Sequence, residues 1–167
     1  MTILAVCGSL QRESANLRLL TAAAGAAPPE VKVVLFDSLG ELPHFNPDIE
    51  ASGAPESVTR WRRALAGSDA VLIASPDYGF SLPGALKKAI DWVIGSGELE
   101  GKVVAITAAV PSTERGRRGL QALRDTLGAV RATIVGGEPI ARGPDFERHV
   151  AELLQALIAA ASPADRS

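Results

Sequence analysis

The sequence predicts an α/β domain, a doubly wound, five-stranded parallel sheet with helices on both faces. Three observations carry that expectation. Short apolar runs rich in Val, Ile and Ala alternate along the chain with segments of helical periodicity. The apolar runs are nearly continuous, as strands covered on both faces require. The 167 residues, 47% hydrophobic and 22% charged, suffice for one buried core and are too few for two.

Taken in chain order, the predicted strands cover 2–7, 31–36, 70–75, 102–108 and 132–136. The predicted helices cover 14–26, 55–66, 83–94, 115–127 and 146–161. Strict alternation favours the strand order 2-1-3-4-5, which places a ligand crevice at the carboxyl ends of strands 1 and 3, where the winding reverses. Residues 40–53 contain Pro43 and Pro47 with few apolar side chains, and read as a long loop after strand 2. A single domain is expected over 1–161, with 162–167 as a short disordered tail.

Charge and composition narrow the function. A net charge of -2 supplies no general attraction for nucleic acid or anionic lipid, so an anionic ligand must be met by a local site. The apolar start at 1–7 lacks a basic flank and a cleavage site and is interrupted by Gly8, so it reads as a buried strand and not a membrane segment. Cys7, the lone cysteine, has no disulfide or metal partner and is expected as core filler, compatible with a reducing cytoplasm. His44 and His149 lie far apart with no paired aspartate, no nucleophile elbow occurs, and no metal-ligand spacing is present. A small-molecule substrate, with no nucleic acid, membrane or metal, is the expected partner class.

The first βα loop, Gly8-Ser9-Leu10-Gln11-Arg12-Glu13-Ser14-Ala15-Asn16, passes from a strand into a helix. A helix start offers unpaired N–H groups and the positive end of a dipole, and Ser9, Ser14 and Asn16 add side-chain donors suited to a phosphate. On local chemistry alone the stretch reads equally well as an ordinary loop with Ser14 capping the helix. It has neither the G-x-G-x-x-G fingerprint nor the G-K-[ST] ending of a P-loop. The loop after strand 3, Pro76-Asp77-Tyr78-Gly79-Phe80-Ser81-Leu82-Pro83, offers two aromatic side chains beside a flexible glycine. Taken alone, a tight turn with aromatics packed on the core is the alternative.

Both loops resemble the NADPH-dependent FMN reductase family. G-S-L-Q-R-E-S-A-N resembles its G-S-L-R-x-x-S-x-N signature, with Gln11 at the arginine position. P-D-Y-G-F-S-L-P-G-A-L-K-K-A-I-D-W resembles its P-E-Y-N-x-S-x-P-G-x-L-K-N-A-I-D-W, with Asp77, Gly79 and Lys88 as departures. The resemblance implies a flavodoxin-like fold and FMN as cofactor. It implies that Ser9, Gln11, Ser14, Asn16 and the Leu17 backbone hold the phosphate, and that Pro76, Asp77, Tyr78, Gly79, Phe80 and Ser81 wrap the ring and ribityl chain.

The third loop, 108–119, matches the family only in part, and its Arg115, Arg117 and Arg118 are candidates to receive the phosphates of NADPH or NADH. Arginines facing water at a helix start are an equal reading. Lys87 and Asp91, four apart, suggest a structural ion pair or a subunit contact. The family resemblance further implies a homodimer or homotetramer, with the third helix near Trp92 in the interface. The implied activity is hydride transfer from NAD(P)H through FMN to a quinone, azo compound, free flavin or metal oxyanion by a ping-pong route. A one-electron carrier, or a flavin-binding relative with little reductase activity, are the alternatives.

Overall fold

The computed structural model describes residues 1–162. In chain order the elements are β1 (Thr2–Cys7), α1 (Ala15–Ala26), β2 (Lys32–Phe36), a short 3-10 turn (Leu39–Glu41), α2 (Pro47–Ser52), α3 (Glu56–Ala66), β3 (Ala70–Ala74), α4 (Gly84–Asp91), β4 (Val103–Thr107), β5 (Ala109–Val110), α5 (Arg117–Ala129), β6 (Thr133–Gly136), β7 (Ile140–Ala141) and α6 (Phe146–Ala161). The main sheet is parallel and runs β2-β1-β3-β4-β6, so the expected 2-1-3-4-5 order holds, with β6 as its fifth strand.

Every residue of β3 and β4 is buried, which is why their runs are continuously apolar. One apolar layer packs Trp61 and Leu65 of α3, Leu86 and Ile90 of α4, and Leu120, Leu123 and Leu127 of α5 against Leu4, Val6, Val71, Ile73, Val104 and Ile106. The opposite layer packs Leu19 and Leu20 of α1 and Val150, Leu154 and Leu157 of α6 against Ile3, Ala5, Leu72 and Ala105. Alternate residues of each strand feed the two layers, as the two-residue period of a strand demands.

Several expectations need correcting. The segment 40–53 is not a bare loop, because it contains α2, started by Asn46, whose Oδ1 accepts from the Asp48 N–H at 2.9 Å, with Pro47 in the first turn. It is tied to the body through Trp92. The Trp92 indole N–H donates to the Pro43 carbonyl at 2.8 Å, and its ring meets Phe45 edge-on with centroids 5.1 Å apart. Trp92 is therefore 0% exposed and its own side chain cannot reach a second subunit. Helix α4 ends at Asp91, earlier than the expected 94, and Ile94 beyond it is exposed. The Lys87–Asp91 pair forms at 2.5 Å, as four-residue spacing on a helix allows. Ser162 caps α6, its backbone N–H donating to Ala159 O, and the rest of the expected tail lies outside the described residues. No described helix is long and apolar enough to cross a membrane.

Candidate flavin site

The carboxyl ends of β1, β3 and β4 meet at the reversal of the sheet. Where the first two loops touch, the chain needs a glycine. A Cβ on Gly8 would lie 3.1 Å from Ser75 Oγ, 3.2 Å from Ser75 Cα and 3.3 Å from Pro76 Cδ. The Gly8 N–H donates to Ala74 O at 2.8 Å, which continues the β1–β3 ladder into the loops.

In the first loop Ser9, Ser14 and Asn16 are buried, whereas Gln11 and Arg12 are exposed. Ser14 is the N-cap of α1, and its Oγ accepts from the Asn16 N–H at 3.1 Å. Ser9 Oγ accepts from the Gln11 N–H at 3.2 Å. Among the described residues the N–H groups of Ala15 and Leu17 have no partner, so the amino end of α1 still presents donors. Asn16 Oδ1 accepts from the Ala109 N–H at 2.9 Å, tying α1 to β5 and leaving the side-chain NH2 as a donor. Ser14 thus caps the helix, and the open N–H groups beside it are of the kind a phosphate takes. Beneath the loop, burial pushes the Cys7 thiol pKa up, offset in part by contacts from the Ser9 backbone and the Ser14 hydroxyl.

The second loop is a two-residue hairpin. Tyr78 and Ser81 exchange N–H···O=C bonds of 3.0 and 3.2 Å, and Gly79 and Phe80 between them have φ of +62° and +63°. That left-handed pair defines a type I′ turn, whose second central position normally favours glycine. Tyr78 and Phe80 are 56% and 67% exposed. The expected alternative, aromatics packed into the core, is therefore overturned; their rings face outward at the mouth of the crevice. Pro76, Asp77 and Ser81 are half-buried at the base of the hairpin.

Asp77 has a partner that its sequence position does not suggest. Its Oδ2 accepts from the Gly119 N–H at 2.9 Å, so it caps the first turn of α5 from 42 residues away. Gly119 is the only side chain size that fits, because a Cβ there would lie 2.9 Å from both Asp77 Cα and Asp77 Cβ. No local pattern announces such a long-range contact. The third wall is the small β5–β7 ladder, in which Ala109 pairs with Ile140 and Val110 with Ala141.

The three arginines of this wall separate. Arg117 pairs with Glu138 at 2.5 Å and donates to the Thr113 carbonyl at 3.0 Å. Arg118 lies over the Phe80 ring, 4.3 Å from its centroid. Arg115 and Arg118 have no ion-pair or side-chain hydrogen-bond partner among the described residues. A cavity of about 680 Å³ opens between hairpin and wall, lined by Asp77, Phe80, Val110, Glu114, Arg115 and Arg118 among others. A cavity of similar size, about 690 Å³, sits between β7 and α6 and shares no residue with the first or second loop.

The residues present fit FMN: buried hydroxyls and open helix N–H groups for a phosphate, a close backbone junction at Gly8, and exposed aromatic area for a flat ring. A doubly wound sheet with this crevice at its switch point defines a flavodoxin-like mononucleotide-binding protein. The family model described as NADPH-dependent FMN reductase matches residues 1–145. An NAD(P)H-dependent FMN reductase of Pseudomonas aeruginosa is 38% identical over 127 residues, covering 75% of this chain and 68% of the relative. A quinone reductase of Pseudomonas putida is 36% identical over 129 residues, covering 75% and 69%. The solved structure of FerB, a flavoenzyme NAD(P)H:(acceptor) oxidoreductase from Paracoccus denitrificans, superposes with a TM-score of 0.84 at 26% identity over 96% of both chains. The chain belongs to the NADPH-dependent FMN reductase family, oxidoreductases that use NAD(P)H with FMN.

Proposed function

We propose that residues 1–161 act as one FMN-binding unit that reduces a quinone at the expense of NAD(P)H, by a ping-pong sequence in which the nicotinamide leaves before the acceptor enters. The observation that carries the reading is the meeting of two loops of opposite character at Gly8 and Ser75. On one side stand Ser9, Ser14, Asn16 and the open N–H of Leu17, suited to the phosphate; Gln11 shapes the loop, its N–H donated to Ser9 Oγ and its carbonyl accepting from the Ser14 N–H, while its side chain faces water. On the other side Pro76, Asp77, Tyr78, Gly79, Phe80 and Ser81 form a hairpin whose peptide groups, with the Tyr78 side chain, flank the ring. Bound FMN supplies the hydride chemistry, accepting from the nicotinamide and passing on to the quinone.

The chain's own residues bind and orient. Arg115 and Arg118 take the anionic part of the dinucleotide; Arg117, committed to Glu138, supports the wall instead. Quinone enters this reading from the names of the relatives, among them a 2-hydroxy-1,4-benzoquinone reductase of a Burkholderia species that is 38% identical over 92 residues. The reading includes a cytoplasmic location and self-association through the surface beyond α4 at Ile94. The test is direct: titrate the protein with FMN, reduce it anaerobically with NADPH, then add quinone. Bleaching of one flavin per chain by NADPH and full recovery on adding quinone, with parallel-line initial-rate plots, is expected. No flavin retained, or intersecting plots, would overturn it.

A further inference from the structure

Two local rules are broken at one place. Phe80, a bulky aromatic, sits at φ +63°, in a turn position where glycine is at ease, yet the residue is 67% exposed and recovers little by burial. Beside it the amino end of α5 carries Arg115, Arg117 and Arg118 and no acidic side chain of its own in the first turn, the one carboxylate there coming from Asp77 of the hairpin, although that end of a helix favours anions over cations. The two irregularities touch, because the Arg118 guanidinium lies on the Phe80 ring. Strain maintained without a packing gain points to a functional role.

We propose that Phe80 is a positioning residue for nicotinamide dinucleotide binding. Its ring holds Arg118 so that the N–H fork faces a phosphoryl group of the dinucleotide in the 680 Å³ cavity. A guanidinium stacked by its face on an aromatic ring keeps its in-plane donors free, and loses less rotamer freedom when it engages a phosphate. Arg118 has those donors to spare, since the ring is its one partner among the described residues. The cavity lining carries Arg115, Arg117 and Arg118 against the carboxylates of Asp77 and Glu114; Arg117 is paired with Glu138, and Asp77 points one oxygen at the Gly119 N–H.

This proposal rests on the reading of Arg115 and Arg118 given above, and the experiment separates the two. In FMN-loaded protein, Phe80→Gly, Phe80→Trp, Arg118→Ala and the Phe80→Gly/Arg118→Ala double variant are compared for KM and kcat with NADPH and with NADH. Calorimetric binding of NADP+ and thermal unfolding are measured beside them. Phe80→Gly is expected to raise KM by about three- to fivefold, the range of an exposed cation–π contact, with a smaller change in kcat. The rise for NADPH alone assigns the contact to the 2′-phosphate; an equal rise with NADH assigns it to the shared pyrophosphate, and both support the proposal. NADP+ affinity should fall in parallel, Phe80→Trp should restore it, and the double variant should be no worse than Arg118→Ala. Glycine suits the turn, so the melting temperature of Phe80→Gly should not fall. An effect of Arg118→Ala without one of Phe80→Gly overturns the positioning role. Silence of both variants overturns the underlying assignment of the arginines. A loss of FMN affinity in Phe80→Gly as large as the loss for the dinucleotide gives the ring to the flavin and overturns the proposal.

Discussion

At the scale of single residues, the site depends on contacts that join loops far apart in the chain. Asp77 and Gly119 are the sharpest example, because the glycine has no room for a methyl group against Asp77 backbone. Gly119→Ala is expected to destabilise the protein by about 1–3 kcal/mol, the usual cost of overpacking a tight site, and to weaken FMN binding as the hairpin is displaced. Thermal unfolding and flavin titration read the two effects; a variant with native melting temperature would mean the loops part freely. Asp77→Asn keeps an acceptor oxygen for the Gly119 N–H and should lose less than Asp77→Ala.

Cys7 makes a second prediction at this scale. Burial raises its pKa, so the folded thiol stays neutral at a pH where a free cysteine is partly thiolate. Alkylation by iodoacetamide near pH 8.5 should be slower in the folded protein than after denaturation. The sign for stability follows. Above the unfolded pKa the unfolded chain loses the proton first, so this contribution is present below that pH and is lost as pH rises through the folded pKa. Cys7→Ala should flatten that alkaline decline in urea midpoints.

At the scale of elements, two polar side chains secure the amino end of α1. Ser14 caps the helix and Asn16 fastens it to β5. Ser14→Ala should cost about 1 kcal/mol of stability through the lost cap. It should further weaken FMN binding by about 1–3 kcal/mol if an unpaired phosphate oxygen results. Asn16→Ala should behave alike through the freed Ala109 N–H. Equal FMN affinity in the double variant would show that the phosphate lies elsewhere.

The elements differ in how readable they are. The inner strands β1, β3 and β4 were legible because burial on both faces writes a continuous apolar run; the edge strands β2 and β6, only half covered, still carry short Val- and Ile-rich runs, and the strand ends moved by at most about one residue. The signals for α2 were present in Asn46, Pro47 and Asp48, a cap, a first-turn proline and an acidic start, but the scarcity of apolar residues in 40–53 outweighed them. β5 and β7 have two residues each, too few to show a period. The first and second βα loops were legible as motifs through their family resemblance, but the hairpin form of the second was not. The outward turn of Tyr78 and Phe80, the Asp77–Gly119 contact and the burial of Trp92 depend on tertiary neighbours that no local pattern encodes.

At the scale of the whole molecule, the site is an assembly of three loops on one edge of a rigid sheet. The β1, β3 and β4 core is wholly enclosed, whereas the loops are joined to one another by a few hydrogen bonds: Gly8 to Ala74, Asn16 to Ala109, and Asp77 to Gly119. A ligand that bridges the first two loops adds its binding free energy to the folded state alone, since the crevice does not exist in the unfolded chain. With free FMN at about a hundred times its dissociation constant the gain is about 2.7 kcal/mol. For a domain of this size each kcal/mol moves the melting temperature by roughly 2–4 °C, so loading should raise it by about 5–11 °C. The rise should shrink in Ser14→Ala and Asn16→Ala at fixed FMN concentration, and persist in Arg118→Ala, whose guanidinium faces the cavity beyond the hairpin. Riboflavin, which lacks the phosphate, should give a much smaller shift than FMN. Equal shifts from the two flavins would place the binding energy on the aromatic hairpin and remove the first loop from the site.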